Sequence, residues 1–225
     1  MNKLLTIVIP TYNMQDYLRR CLDSLLVEDD TLMSQLEVLV VNDGSKDNSS
    51  AIAHEYEAKY PQTFRVIDKE NGNYGSCVNR GLSEAQGKYI KILDADDWFD
   101  KVEFGMYLKD LVNLDVDLVL TPYNFVYQDT AKTVLDTRDI PIGKVYDFQS
   151  FPYEKLSYYP MHMVTYRTQM LHDMRYRQTE GISYTDNEWA FIPQYNINEF
   201  VFLPYVLYQY LNGREGQTMN SDAVI

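Results

Sequence analysis

Apolar positions in the first 120 residues follow two alternating rhythms. "LLTIVIP" (4–10) and "LEVLVV" (36–41) are near-continuous apolar runs of strand length, the pattern of parallel strands covered on both faces. Between them Leu18, Cys21, Leu22 and Leu25 fall at i, i+3, i+4 and i+7, which predicts a helix with one buried stripe. Asn13, with Asp16 three residues on, is the expected N-cap of that helix. The alternation continues with a helix over 48–60, a strand "FRVID", a helix from Ser76 to Ala85 and a strand "YIKIL". A helix with Phe104, Leu108, Leu111 and Val112 in phase and a strand "DLVLTPY" follow. Strands alternating with helices of this length imply right-handed crossovers and an open, mostly parallel sheet, so the fold class is α/β.

After Pro122 the rhythm changes to mixed, tyrosine-rich segments, with strands expected at "MVTYR" and "FVFL" and a helix from Asp186 to Tyr195. No glycine-serine linker, low-complexity tract or internal repeat separates the halves. Residues 1–122 and 123–225 are therefore expected to differ in function while packing as one unit.

Charge narrows the choice of partners. With 33 acidic against 20 basic residues the formal charge is -13, which argues against nucleic acid or an anionic membrane as the main partner and favours a divalent cation. Cys21 and Cys77 imply no disulfide framework and suit a reducing cytoplasm. The apolar run ahead of Pro10 is short for a signal peptide and lacks a cleavage site. "FVFLPYVLYQYL" (200–211) carries Pro204 and falls short of the ~20 residues of a membrane span. A soluble cytoplasmic chain is expected, with peripheral association at the inner membrane face as the alternative.

In an open α/β sheet, ligands bind beyond the carboxyl ends of the strands. Here four successive strand ends carry "PTYN", "NDGSKDNS", "KENGNYGS" and "DADD". Each alone is ordinary turn or helix-start chemistry; their succession is not. The D-x-D pair Asp94 and Asp96 suits Mg²⁺ or Mn²⁺, hard cations held by one or two carboxylates plus substrate phosphates. No P-loop and no G-x-G-x-x-G after the first strand is present.

Together, "TIVIPTYNMQDYLRRCLDSLL", "LEVLVVNDGSKDNS" and "KENGNYGSCVNRGLSEAQGKYIKILDADDWF" resemble the nucleotide-binding half of a family 2 glycosyltransferase of the GT-A fold. "TEGISYTDNEWAF" and "LYQYLNGREGQT" resemble the family more loosely. The resemblance implies inverting transfer of a sugar from a nucleotide diphosphate donor, most often UDP, to a glycan or lipid-linked glycan acceptor in polysaccharide or glycoconjugate assembly. It implies that Thr11 and Tyr12 line the nucleoside pocket, that Asp43 contacts the base and that Asn71 faces the nucleoside. Asp94 would touch the ribose or support the metal, Asp96 would ligate it directly, and Asp97 would be a helix-start or supporting acid. Where the family reads A-R-N-x-G this chain has "CVNRG", so Val78 holds the usual arginine position and Arg80 is displaced by two residues.

An inverting transfer needs a base for the acceptor hydroxyl. The family commonly supplies it from a Glu-Asp pair at a helix start, and "YTDNEW" offers Asp186, with Glu180 and Glu188 as lesser alternatives. Asp186 also has a plain reading as a helix cap. His162 reads as a satisfied core or rim histidine before a metal ligand, and Arg214 either closes over the diphosphate or sits in an exposed turn. Competing readings are another metal-dependent phosphate-chemistry enzyme, such as a nucleotidyltransferase, and a glycosyltransferase-like module that binds without turnover. An aspartyl-phosphate phosphatase would carry its D-x-D after the first strand, where "PTYN" stands.

Overall fold

The apolar runs become strands of one twisted sheet with helices on both faces. The computed structural model describes residues 3–127, 130–134, 141–152 and 159–213. The strands are β1 (Lys3–Thr11), β2 (Leu36–Asn42), β3 (Phe64–Asp68), β4 (Gly87–Ile92), β5 (Trp98–Phe99), β6 (Leu118–Leu120), β7 (Tyr123–Tyr127), β8 (Thr130–Val134), β9 (Val145–Asp147), β10 (Val164–Arg167), β11 (Glu199–Phe202) and β12 (Tyr208–Asn212). The helices are α1 (Leu18–Asp23), α2 (Asp30–Gln35), α3 (Ser49–Lys59), α4 (Asn73–Glu84), α5 (Lys101–Leu111), α6 (Thr168–Asp173) and α7 (Asp186–Phe191), with a 3₁₀ turn over Ile192–Asn196.

The larger sheet has eight strands in the order β3-β2-β1-β4-β10-β6-β11-β9, and a smaller one runs β5-β12-β7-β8. β3, β2, β1 and β4 are mutually parallel. β10 lies antiparallel between β4 and β6. The larger sheet therefore draws strands from both sides of residue 122.

Period-2 alternation sorts β1 onto two cores. Leu5, Ile7 and Ile9 pack with Leu18, Cys21, Ile52 and Phe104, whereas Val8 packs on the other face with Cys77, Val78, Leu82 and Trp189. Helix α4 lies so close to β1 that a Cβ on Gly81 would come within 2.3 Å of Val8 Cγ1; a side chain there would force the helix off the sheet. No helix among the described residues is long and apolar enough to cross a membrane.

Several sequence expectations shift. Asn13 does not cap α1, whose N-cap is Tyr17; it sits at φ 53° and its Oδ1 accepts from Lys46 N at 2.7 Å. Helix α4 begins at Asn73, not Ser76. "DLVLTPY" divides between β6 and β7, which belong to different sheets. Val112 is the C-cap of α5 and stays 47% exposed despite its phase. Both cysteines are buried and free.

Candidate active site at the strand ends

Because β1 to β4 run parallel, their carboxyl-terminal loops meet at one rim. A cavity of about 540 Å³ opens there, lined by Thr11, Tyr12, Asp43, Asn71, Asp94, Asp96 and Asp186 among others. These seven residues, expected at the site from the sequence, thus face one space. A neighbouring cavity of about 550 Å³ shares Tyr12 and Asn71 with it and adds Lys46, Asp68 and Lys69.

At one end the loops are stitched together. Asp43 N donates to Thr11 O at 2.8 Å, and the buried Asp43 carboxylate accepts from Gly72 N at 2.9 Å and pairs with the Lys69 ammonium. Lys69 also reaches Ser76 Oγ at 2.9 Å, and Asn71 Nδ2 donates to Asp43 O at 3.0 Å. Asn13 N donates to Ser45 Oγ at 3.0 Å and Gln15 N to Asp47 Oδ2 at 3.0 Å. Charge-assisted bonds of this kind hold an edge open before any ligand arrives. Burial first, then the Asp43 charge, pushes the Cys77 thiol up to about 12, so it lines the cavity as a neutral group.

In the middle, Asp94, Asp96 and Asp97 bring ligand atoms within 4.8 Å of one another. The three are not equivalent. Asp97 accepts from Tyr208 OH at 2.7 Å and from Leu211 N at 2.7 Å, and it does not line the cavity, whereas Asp94 and Asp96 do. Burial, then the Asp96 and Asp94 charges, holds the Asp97 carboxyl well above the usual range. Asp97 ties β12 to the cluster, and the cap of α5 is Asp100, whose side chain accepts from Val102 N and Glu103 N. Tyr74 OH donates to Asp94 Oδ1 at 2.7 Å, and Asp94 N donates to Tyr208 OH at 3.1 Å. The Arg20 guanidinium lies 3.7 Å from the Trp98 ring centroid and donates to Asp96 O at 2.9 Å. Oxygen donors arranged this way fit a hard divalent cation.

The opposite wall comes from segment 178–186 and α7. Asn79 clamps it, donating to Gln178 O at 2.8 Å and accepting Gln178 N at 2.8 Å. Gly75 must be glycine, since a Cβ would lie 1.9 Å from Thr179 O. Gln178 Nε2 reaches forward to Thr185 O at 2.7 Å, setting the start of α7 and hence Asp186. Burial raises the Asp186 carboxyl above its ordinary value. Glu188 instead accepts from Thr179 N at 2.7 Å, and Glu180 from Asn79 Nδ2 at 2.8 Å and Arg177 at 2.9 Å; neither lines the cavity. Val78 is buried in the apolar core, and Arg80 pairs with Glu84 at 2.9 Å, away from the cavity lining. Arg214 lies outside the described residues.

Sequence reasoning missed Tyr74, Met161 and Tyr210, which line the cavity, and Lys91. Only Tyr74 carried a local signal, sitting inside the "ENGNYG" loop. His162 differs from expectation: it lines the cavity, yet its Nδ1 is buried with no hydrogen-bond partner. Its ring lies 5.0 Å from Tyr123, 4.8 Å from Tyr208 and 4.5 Å from Tyr210. Burial, with the Lys91 charge adding to it, pushes the imidazole down to about 3. Lys91, fully buried, donates to His162 O at 2.8 Å and Val164 O at 3.0 Å, and burial alone lowers it to about 7.

This arrangement has relatives. The model of the family described as "Glycosyl transferase family 2" matches residues 6–175, more than half of the chain. The chain belongs to that family. The uncharacterized glycosyltransferase MG025 of Mycoplasma genitalium is 42% identical over 103 residues, covering 45% of this chain and 34% of its own length. Among solved structures, S. aureus TarS in complex with UDP-GlcNAc superposes with a TM-score of 0.77 at 22% identity, over 98% of this chain and 62% of that one. The Pyrobaculum calidifontis mannosyltransferase PcManGT, solved with GDP-Man and Mn²⁺, gives 0.66 at 18% identity, over 96% of this chain and 59% of its own. At such identities the structural likeness establishes the GT-A fold of this family 2 chain, which spans about a third of the MG025 length.

Proposed function

We propose that the chain is a metal-dependent inverting glycosyltransferase that moves a sugar from a UDP-sugar to an acceptor hydroxyl in glycan or glycoconjugate assembly. The observation that carries this reading is that Asp43, Asn71, Asp94, Asp96 and Asp186 line one and the same cavity. Thr11, Tyr12 and Asn71 hold the nucleoside, and Asp43 accepts from a uracil-type N–H, which cytosine lacks at that position. Asp94 and Asp96 hold Mn²⁺ or Mg²⁺, with Asp94 also able to meet the ribose. A bound divalent cation supplies charge neutralisation at the diphosphate. In the transfer, the acceptor oxygen forms its bond to the anomeric carbon as the bond to the diphosphate oxygen breaks. The acceptor proton passes to the Asp186 carboxylate, and the nucleoside diphosphate leaves with the bonding electrons. Support for Asp186 as base comes from its place in the cavity wall, and support against Glu180 and Glu188 from their bonds elsewhere.

The test is a panel of UDP-glucose, UDP-galactose and UDP-N-acetylglucosamine with Mn²⁺ or with chelator, scored for UDP release. Metal-dependent release is expected. UDP binding without release from any donor would leave only a binding module, and equal UDP binding in chelator and in metal would remove Asp94 and Asp96 from a metal site.

A further inference from the structure

One side chain in the cavity wall is left unanswered by the chain itself. His162 lines the cavity and is partly buried as a residue, while its Nδ1 is sealed away without a hydrogen-bond partner. Three tyrosine rings enclose it: Tyr123 stacks on it at 5.0 Å, Tyr208 meets it edge-on at 4.8 Å and Tyr210 tilts against it at 4.5 Å. Such an enclosure would take a phenylalanine without loss of packing. From β4 the buried Lys91 donates to His162 O at 2.8 Å and to Val164 O at 3.0 Å, close enough for its charge to act on the ring. A polar group that the fold leaves unpaired at a cavity wall is where a ligand completes the bonding.

Resting on the glycosyltransferase reading above, we propose that His162 contacts the nucleotide-sugar donor: it turns its Nε2 edge to the cavity and donates an N–H from there to a donor oxygen, on the diphosphate or on the sugar. Burial, with the Lys91 charge adding to it, keeps the ring neutral, and a neutral imidazole carries one N–H and one lone pair. The sealed nitrogen decides which is where. Orphaned N–H groups are rarer inside proteins than under-satisfied acceptors, and the buried Lys91 charge favours a lone pair over an N–H on the inner side. The proton therefore sits on Nε2, a tautomer assigned from the surroundings of the ring. Asp94, Asp96 and Asp186 share the cavity and, when ionised, only accept. A donor placed among them is what an oxygen-rich ligand needs. Lys91 does not line the cavity; it is the positioning residue that pins His162 from behind.

Glutamine and asparagine carry an amide N–H near the places of imidazole Nε2 and Nδ1 respectively, and phenylalanine keeps a ring with neither nitrogen. Affinities for UDP and UDP-glucose in Mn²⁺, and melting temperatures, are therefore compared for the wild type, His162→Gln, His162→Asn and His162→Phe. His162→Asn and His162→Phe are expected to bind UDP-glucose roughly 3- to 100-fold more weakly, the range of one hydrogen bond to a neutral or charged oxygen, and His162→Gln to keep most of the affinity. His162→Phe should melt no lower than the wild type, because it removes an unpaired buried nitrogen and keeps the packing. Weakening shared by UDP places the acceptor oxygen on the diphosphate, and weakening confined to UDP-glucose places it on the sugar. Full affinity in His162→Asn or His162→Phe, or a loss in His162→Gln as large as in the other two, would overturn the proposal. So would weaker binding that tracks lower melting across the series, or a loss that excess Mn²⁺ restores, which would make His162 a metal ligand. UDP binding by the wild type leaves the transferase reading standing in each of these cases; no binding of UDP by the wild type overturns both.

Discussion

The Asp43 end of the cavity and its Asp186 side, proposed here for the nucleoside and the acceptor, are built on different principles. At the Asp43 end polar groups answer one another within the chain, with Asp43, Lys69, Ser76, Asn71 and Gly72 bound together. Positive φ occurs on both sides, at Asn13 (53°) and at Tyr184 (62°), but towards Asp186 the cavity is also lined by His162, whose Nδ1 is buried without a partner. A wall that is internally satisfied binds by being preformed, and its groups also hold the fold together. A wall with unsatisfied groups stores cost for a ligand or a reaction. The same kind of substitution should therefore act on stability at one end and on chemistry at the other.

Asp186→Asn should show the largest effect. Transfer is expected to fall by roughly 10² to 10⁴-fold, the range for losing a general base, with UDP affinity and melting temperature nearly unchanged. Asparagine caps a helix as well as aspartate does, so near-normal transfer by the folded variant would make the carboxyl a cap and return attention to Glu180 and Glu188. The wild-type rate should also fall on acidification. Burial raises the Asp186 carboxyl, so it takes up its proton at a pH above the usual ~3.9 of aspartate and the acid limb of the profile is displaced upward. A limb at the ordinary carboxylate value would contradict the assignment.

Asp43→Ala tests the other end. It leaves Gly72 N and the Lys69 ammonium without their shared acceptor, and leaving buried partners unsatisfied costs about 1–3 kcal/mol. A melting temperature lower by several degrees is expected together with weaker UDP binding. Unchanged melting would mean that the nucleoside end is not part of the fold's framework, and the contrast between the two ends would fail.

Tyr74→Phe lies between the two regions. It removes the hydroxyl that holds Asp94 Oδ1 without changing the shape of the half-buried ring. Losing a partner that orients a metal-ligating group typically costs ~10 to 100-fold in metal affinity, so the Mn²⁺ concentration needed for UDP binding should rise by that factor while melting in chelator stays put. An unaltered Mn²⁺ requirement would show that Asp94 needs no orienting bond.

The smallest expected effect belongs to His54, half exposed between Asp68 and Glu57. The bond to Asp68, then that to Glu57, raises its imidazole above the ordinary value. A raised folded value means that the stabilisation is full below the unfolded ~6.5 and fades as pH rises through the folded value. Solvent screening limits it to about 0.2–1 kcal/mol. The melting temperature should therefore drop slightly more between pH 6 and pH 8 in the wild type than in His54→Gln. Parallel curves would show that this surface pair adds nothing beneath the nucleoside end.

Sequence alone determined the parallel half of the molecule and the rim it serves. β1 to β4 are encoded by local apolar runs, and the turn residues that follow each run have no place to go but the strand ends. The position of the D-x-D cluster was legible for that reason, whereas Asp186 came only from the family resemblance, as a candidate base. Tertiary structure decided which carboxylate faces the cavity. Asp97 and Asp94 look alike in "DADD", and bonds from Tyr208 and Leu211, 111 and 114 residues away from Asp97, turn one of them from the cavity. Val78 became core because α4 lies on β1, and His162 was placed at the cavity by Lys91 bridging from β4 to the start of β10, 71 residues on. These contacts depend on the register between segments far apart in the chain, which no local pattern of apolar and polar residues encodes.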